Sequence, residues 1–261
     1  MRALSIAANG MSSQALRVEV ISNNLANMST TGYNARRAEF ADLHYQQVTR
    51  PGTINAADGT LVPTGVQLGL GSRPSAVTVM ISQGTIAATG GDLDIAIDGH
   101  GYLEVAMPSG VSGYTRDGAL KRSPDGQVVT SDGYPVVPDI TIPDDARSLS
   151  ISADGEVYAY FSDRVEPELL GQITLADFSN RKGLEAIGSN LFLETAASGP
   201  ALVSVAGTDG LGTLRQGYLE ESAVDAVKEL TDLIEAQRGY ELNAKVITAA
   251  DQMLGATTQI R

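Results

Sequence analysis

Ile21-Ser-Asn-Asn-Leu-Ala-Asn-Met-Ser-Thr-Thr-Gly-Tyr-Asn34 closes one long run of the chain and opens everything after it. Upstream, small and apolar residues recur at alternating steps of four and three: Leu4, Ala8, Met11, Ala15, Val18, Ser22 and Leu25. That spacing puts them on one seam of an α-helix. The run holds no Pro, and Gly10 is its one internal Gly. Asn27, Ser29, Thr30, Thr31 and Gly32 follow. Asn and Gly tolerate positive φ, and Ser and Thr side chains bond nearby backbone, so this cluster predicts a helix stop. Asn23, Asn24 and Asn27 crowd the last turns. Two readings stand for them: capping with surface polarity, or amides that bond another helix and fix its register.

The far end of the chain repeats the pattern. From about Glu220 to Ile260 there is no Pro and there are two Gly. Ala226, Leu230, Leu233, Gln237, Tyr240, Ala244, Ile247, Asp251 and Leu254 again step by four and three, with Ser222 and Asp225 positioned to cap the start. The layout predicts an antiparallel, coiled-coil-like helix pair, the chain leaving along one helix and returning along the other. Ile6, Ile21, Ile234 and Val246 lie off these seams. Apolar residues on more than one face imply more than one partner helix, which is an argument for self-assembly.

Between the helices the pattern changes twice. Residues 47–75 carry Pro51, Gly52, Gly59, Pro63, Gly65, Gly69, Gly71 and Pro74, an extended arm in which Val66, Leu68 and Leu70 alternate as one strand. From residue 76 to 203 short alternating runs such as Leu93/Ile95/Ile97, Tyr102–Val105 and Glu156–Phe161 are separated by Asp-Gly pairs at 98, 117, 125, 132 and 154. Asp-Gly supplies the positive φ of tight hairpins. A mainly β body, sandwich-like or barrel-like, is expected there. The expected organisation is a terminal helical assembly domain (1–30 with 220–261), connecting segments (31–75 and 204–219) and a β-rich outer domain (76–203).

Composition excludes several functions. The net charge of −13 opposes binding to nucleic acid or to anionic lipid, both of which call for basic surfaces. The absence of Cys removes disulfides, zinc–thiolate sites and thiol chemistry. No apolar run reaches the ~18–20 residues of a membrane span, and Asn9, Ser12, Ser13, Gln14, Arg17 and Glu19 break any signal-peptide core. His44 and His100 are the sole histidines and read as surface residues. Asp92–Gly99 misses the spacing and closing Glu of a calcium loop and reads as a strand and its turn. No catalytic, metal or cofactor site emerges.

Ser22-Asn23-Asn24-Leu25-Ala26-Asn27, followed by Thr31-Gly32-Tyr33, resembles the N-terminal signature of the bacterial flagellar rod and hook proteins. Arg37–Gln46, Gly212–Glu220, Glu235–Asn243 and Ala250–Leu254 are similar to further family segments in the same order. The resemblance implies a non-enzymatic subunit of the distal rod that polymerises helically into a hollow, torque-transmitting shaft. It implies as partners other copies, proximal rod proteins, the hook protein, the ring proteins around the rod and the flagellar export apparatus, with export unprocessed by a signal peptidase. The seam residues would then serve assembly. Two other readings stay open: a proximal rod or hook component, and a periplasmic enzyme on a β scaffold.

Overall fold

The computed structural model describes residues 2–50, 64–164 and 166–259. The chain divides into two compact units, one formed by Met1–Leu25, Arg36–Thr78 and Asp225–Arg261 and the other by Ala26–Ala35 and Val79–Val224.

The first unit holds both helices. Helix α1 spans Arg2–Ala26 and gives way to turns at the Asn27–Gly32 cluster, as the residues there predict. Helix α2 spans Ala226–Gln259. It starts later than the absence of Pro suggests, because Tyr218–Glu220 is drawn into a strand. Asp225, not Ser222, caps it: its carboxylate accepts the N–H groups of Val227 at 3.0 Å and Lys228 at 3.2 Å. The Ser222 hydroxyl is buried and finds no partner among the described residues.

The rest of this unit is a narrow antiparallel ribbon. Strand β1 (Arg36–Asp42) pairs with β4 (Ser72–Val79), and β2 (Tyr45–Thr49) pairs with β3 (Val66–Gly69). Tyr45 stands opposite Gly69 and Thr49 opposite Val66. The strand expected at Val66 and Leu68 is thus one side of a hairpin stem, and the centre of the arm, residues 51–63, lies outside the described residues. The ribbon lies on α1, where Ser13 and Ser72 share a 3.1 Å hydrogen bond and Asn9 donates to the Leu70 carbonyl at 3.4 Å.

Among its described residues the regular structure of the second unit is β, apart from a 3-10 turn at Arg181–Gly183. Strand β5 (Ile86–Ala88) pairs with Tyr218–Glu220, and β6 (Ile95–Asp98) pairs with Thr213–Gln216. Strands β7 (Tyr102–Ala106) and β8 (Ser112–Thr115) centre a larger sheet that continues through Leu191–Leu193 to Glu185–Gly188 on one side. On the other side it continues through Thr174–Asp177 to Leu202–Val205. A separate sheet joins Ala146–Ile151, Glu156–Phe161 and Glu168–Gln172. Ile95, Ile97, Leu103, Val105, Val157, Ile173 and Leu175 form the core between these strands. Tyr102, Tyr114 and Phe178 form a second apolar cluster, with ring centroids 4.8 Å apart for Tyr114 and Phe178.

The Asp-Gly pairs act as read, with one exception. The glycines at 99, 126, 133 and 155 have positive φ. Gly118 does not; a Cβ there would overlap the Ile95 carbonyl, so close approach of two strands is what excludes a side chain. The expected barrel is not formed. The outer strands of the large sheet, Glu185–Gly188 and Leu202–Val205, are not paired to each other, and the strands are too short and too often interrupted by turns to carry a closed ladder.

Candidate functional site

Four contacts describe how α1 and α2 meet. Arg17 binds Asp232 at 2.7 Å, and Asn24 donates to Glu229 at 3.2 Å. A Cβ on Gly10 would lie 2.9 Å from the Asn243 amide, and one on Gly239 would lie 3.1 Å from the Gln14 side chain. Low numbers on α1 meet high numbers on α2, so the helices run antiparallel where they touch. At each of the two glycines a side chain of the facing helix, Asn243 or Gln14, fills the space a Cβ would need.

These contacts define the stripes that face each other. On α1 they are Ala7, Gly10, Gln14, Arg17, Ile21 and Asn24; on α2 they are Glu229, Asp232, Ala236, Gly239, Asn243 and Ala250. The α1 stripe and the α2 stripe as far as Asn243 step by three and four, Ala250 follows two turns on, and each runs one residue ahead of the seam read from the sequence. One residue is about 100° around a helix. Apart from Ile21, the intrachain contact therefore uses small and polar residues, while the predicted apolar seams lie one residue round from it. Of those, Ala8 is exposed, and Leu4, Met11, Ala15, Val18 and Leu25 are half-buried on α1. On α2, Leu230, Tyr240 and Leu254 are 46%, 45% and 38% exposed, and Leu233, Ala244 and Ile247 are half-buried. Val227, Ile234, Leu242, Val246 and Met253 widen the exposed apolar surface of α2.

Asn24 is only 1% exposed, and its amide is fully used. The Asn24 Nδ2 donates to the Arg36 carbonyl at 2.8 Å, and Oδ1 accepts the Arg36 N–H at 2.8 Å. Its second N–H goes to Glu229 on α2. One side chain thus mimics a strand neighbour for β1 and ties it to both helices. Of the two readings of the asparagines, Asn24 fits bonding to another helix; Asn27 fits capping, its carbonyl and side chain both meeting Thr30.

The second half of the signature is built into the β unit. Gly32 has φ 65°, and a Cβ there would lie 2.9 Å from the Arg116 carbonyl carbon and oxygen. Its N–H donates to the Glu220 carbonyl at 2.8 Å. The Tyr33 carbonyl accepts the Ala223 N–H at 2.9 Å, and the Thr31 carbonyl accepts the Asn190 amide at 3.1 Å. Beneath this turn, Arg116 (8% exposed) and Glu220 (3% exposed) form an ion pair at 2.8 Å. Burial pushes the nearby Tyr102 phenol up, although Arg116 and Arg181 pull it the other way.

Comparison with known proteins agrees with this arrangement. Residues 4–34 match the family described as flagella basal body rod protein, and 96–159 match the D1 domain of flagellar hook protein FlgE/F/G. Residues 215–260 match the C-terminal family of flagellar basal body rod FlgEFG proteins. The chain is 52% identical, over all of both chains, to flagellar basal-body rod protein FlgG of Caulobacter vibrioides. It is 48% identical to the FlgG protein of Agrobacterium fabrum over 97% of each chain, and 37% identical to that of Bacillus subtilis over 97% of each. The chain belongs to the flagellar rod and hook protein family. It is a structural protein of the basal-body rod and not an enzyme.

Family membership and geometry coincide at the signature. Asn24, Gly32 and Tyr33 make the contacts described above, and Ser22 and Asn23 are on the exposed side of α1. Spacing could not reveal Arg116, Glu220 and Glu229. Each stands far from its partner in sequence, and nothing periodic marks it. No helix among the described residues is long and apolar enough to cross a membrane. Asp98, half of the failed calcium-loop reading, pairs with Arg215 at 2.6 Å.

Proposed function

We propose that this rod-family chain stacks helically with copies of itself as a subunit of the distal rod, forming a hollow shaft that carries torque to the hook. In this reading the terminal helices associate as coiled coils and line the inner tube, and the β units form the outer layer. Proximal rod proteins, the hook protein, the surrounding ring proteins and the export apparatus are the partners, and the chain is exported without signal cleavage. One observation carries the reading. Within the chain, α1 and α2 meet mainly through Gly, Ala, Asn, Gln and charged residues, with Ile21 the one large apolar residue of the stripe, while Leu230, Ile234, Tyr240, Leu242 and Leu254 stay exposed on α2. Large apolar side chains left open along a helix by a protein's own fold mark a place for another chain. In a homopolymer that chain is a second copy.

The test is Leu230→Glu in a strain lacking the native gene. Leu230 is exposed, so the purified monomer should melt within ~0.5 kcal/mol of wild type. A charge buried between helices of different copies is costly, so the variant should be missing from purified basal bodies and the cells should not swim. Wild-type incorporation and motility would refute the assignment of this stripe to assembly.

A further inference from the structure

The division into two units makes the backbone change unit four times, after Leu25, Ala35, Thr78 and Val224. Residues beside these changes are fastened to one another inside the β unit. Gly32 N–H bonds Glu220 O at 2.8 Å, Ala223 N–H bonds Tyr33 O at 2.9 Å, and Met80 N–H bonds Ala35 O at 2.8 Å. Glu221 N–H bonds Thr85 O at 2.8 Å, and Tyr218–Glu220 pairs with β5. The three segments 29–35, 79–88 and 218–224 are therefore one hydrogen-bonded clasp.

A buried ion pair sits under it. The Arg116 guanidinium binds Glu220 through Nε and one terminal nitrogen, at 2.9 and 2.8 Å. It also donates to the carbonyls of Gly101 at 2.9 Å and Gly99 at 3.1 Å. The other Glu220 oxygen accepts the Gly84 N–H at 2.9 Å. The pair therefore touches two of the clasp segments through Glu220 and Gly84, and the Arg116 backbone packs against the third at Gly32. Such a pair gains little over apolar residues of the same size, because desolvation offsets most of the attraction. What it supplies is geometry: a charge held by four contacts from three of its nitrogens has one low-energy position, and removing its partner leaves a buried charge without compensation.

We propose that Arg116–Glu220 is the latch of this clasp, holding the signature turn and the returning strand onto the β unit in the free subunit, before any contact with another copy. The Thr31-Gly32-Tyr33 half of the signature then serves as an internal anchor for the chain segments that leave the β unit, not as a surface read by neighbours. In a shaft under torque, force arriving along those segments enters the β unit through the clasp. The latch itself does not depend on the polymer, so it stands or falls separately from the assembly of rods.

Hydrogen exchange on the purified full-length monomer tests it. The amides of Gly32, Glu221 and Ala223 should be protected in wild type nearly as well as those of Leu103 and Val157 in the core. Arg116→Met should lower protection of those three amides by about tenfold or more while leaving the core amides unchanged. Glu220→Gln keeps the shape and the Gly84 bond but not the charge, and should weaken the same amides. Three outcomes would overturn the proposal: rapid exchange of the three amides in wild type, unchanged protection in both variants, or equal loss across the whole β unit in both. The first would make the clasp a product of assembly, the second would remove the pair's role, and the third would make the pair an ordinary part of the core.

Discussion

Replacing Asn24 with Ala removes three hydrogen bonds at once. The Arg36 N–H and carbonyl lose their partner at 2.8 Å each, and Glu229 loses a donor at 3.2 Å. An unsatisfied buried polar group costs about 1–3 kcal/mol, and Arg36 is half-buried, so its two backbone groups fall at the lower end of that range. The small void left by the amide adds to this, whereas Glu229 can turn toward water. The expected loss is about 2–4 kcal/mol, confined to α1, α2 and the ribbon. Asn24→Asp should cost at least as much at neutral pH. It keeps the acceptor for Arg36 N–H but sets a carboxylate against the Arg36 carbonyl and Glu229. Ser22→Ala, on the exposed face two residues earlier, should change stability by less than ~0.5 kcal/mol. The assay is denaturation of the full-length monomer followed by far-UV circular dichroism at the helix band, with exchange of the Arg36 amide as the local reporter. An Asn24→Ala variant that matches Ser22→Ala, with Arg36 exchange unchanged, would refute the view that this amide ties the ribbon to both helices.

Three further expectations follow from side chains whose partners are missing or committed. Gln14 faces Gly239 with a buried carbonyl oxygen that has no partner among the described residues, so Gln14→Met, close in volume, should stabilise the helical signal by about 1 kcal/mol in the same melts. Asp225→Ala should cost about 1 kcal/mol by uncapping α2, while Ser222→Ala should be neutral or slightly stabilising, since its hydroxyl is buried without a partner. For Asp177, burial alone would raise the carboxyl, but two 2.6 Å bonds from Arg181 and the Phe178 amide outweigh it and hold it below the usual range. A lowered folded value means the stabilisation is present above the unfolded pKa of about 3.9 and is lost as pH falls through the folded value. The gap in stability between wild type and Asp177→Asn should therefore be constant near neutrality and close below about pH 4, as read by urea melts across that range.

What was legible in the sequence was whatever depends on neighbours along the chain. The stop of α1 at Ala26, the strand at Glu156–Phe161 and the positive-φ turns at 99, 126, 133 and 155 all come from local propensity and spacing. What was not legible depends on pairing across distance. The strand at Tyr218–Glu220 is fixed by β5, more than a hundred residues away, and takes the start of what reads as helix. The capping residue moves from Ser222 to Asp225 for the same reason. Arg116 and Glu220 carry no pattern, because an ion pair needs only the two ends of a contact. The helix seams were the instructive case. The stripe on which α1 and α2 touch within the chain lies one residue away from the apolar seam that the sequence offers for assembly.

That displacement has a physical logic. If the apolar stripes had met within the chain, α1 and α2 would form a self-sufficient hairpin with polar outer faces, and nothing would draw copies together. Instead the inner contact is set by close approach at Gly10 and Gly239 and by charge at Arg17–Asp232, where both partners are about one-third exposed. Such partly solvated pairs contribute about 0.2–1 kcal/mol each, enough to choose antiparallel direction and register but not enough to satisfy the helices. Each exposed Leu or Ile on α2 is about half exposed and retains roughly half of the ~1.5–3 kcal/mol that full burial would release. Polar residues thus set the direction of the pair inside one chain, and under the proposed assembly the remaining hydrophobic term would be released between chains. A hydrophobic pattern read as one molecule's core can in this way be an assembly's core, and one residue of register separates the two.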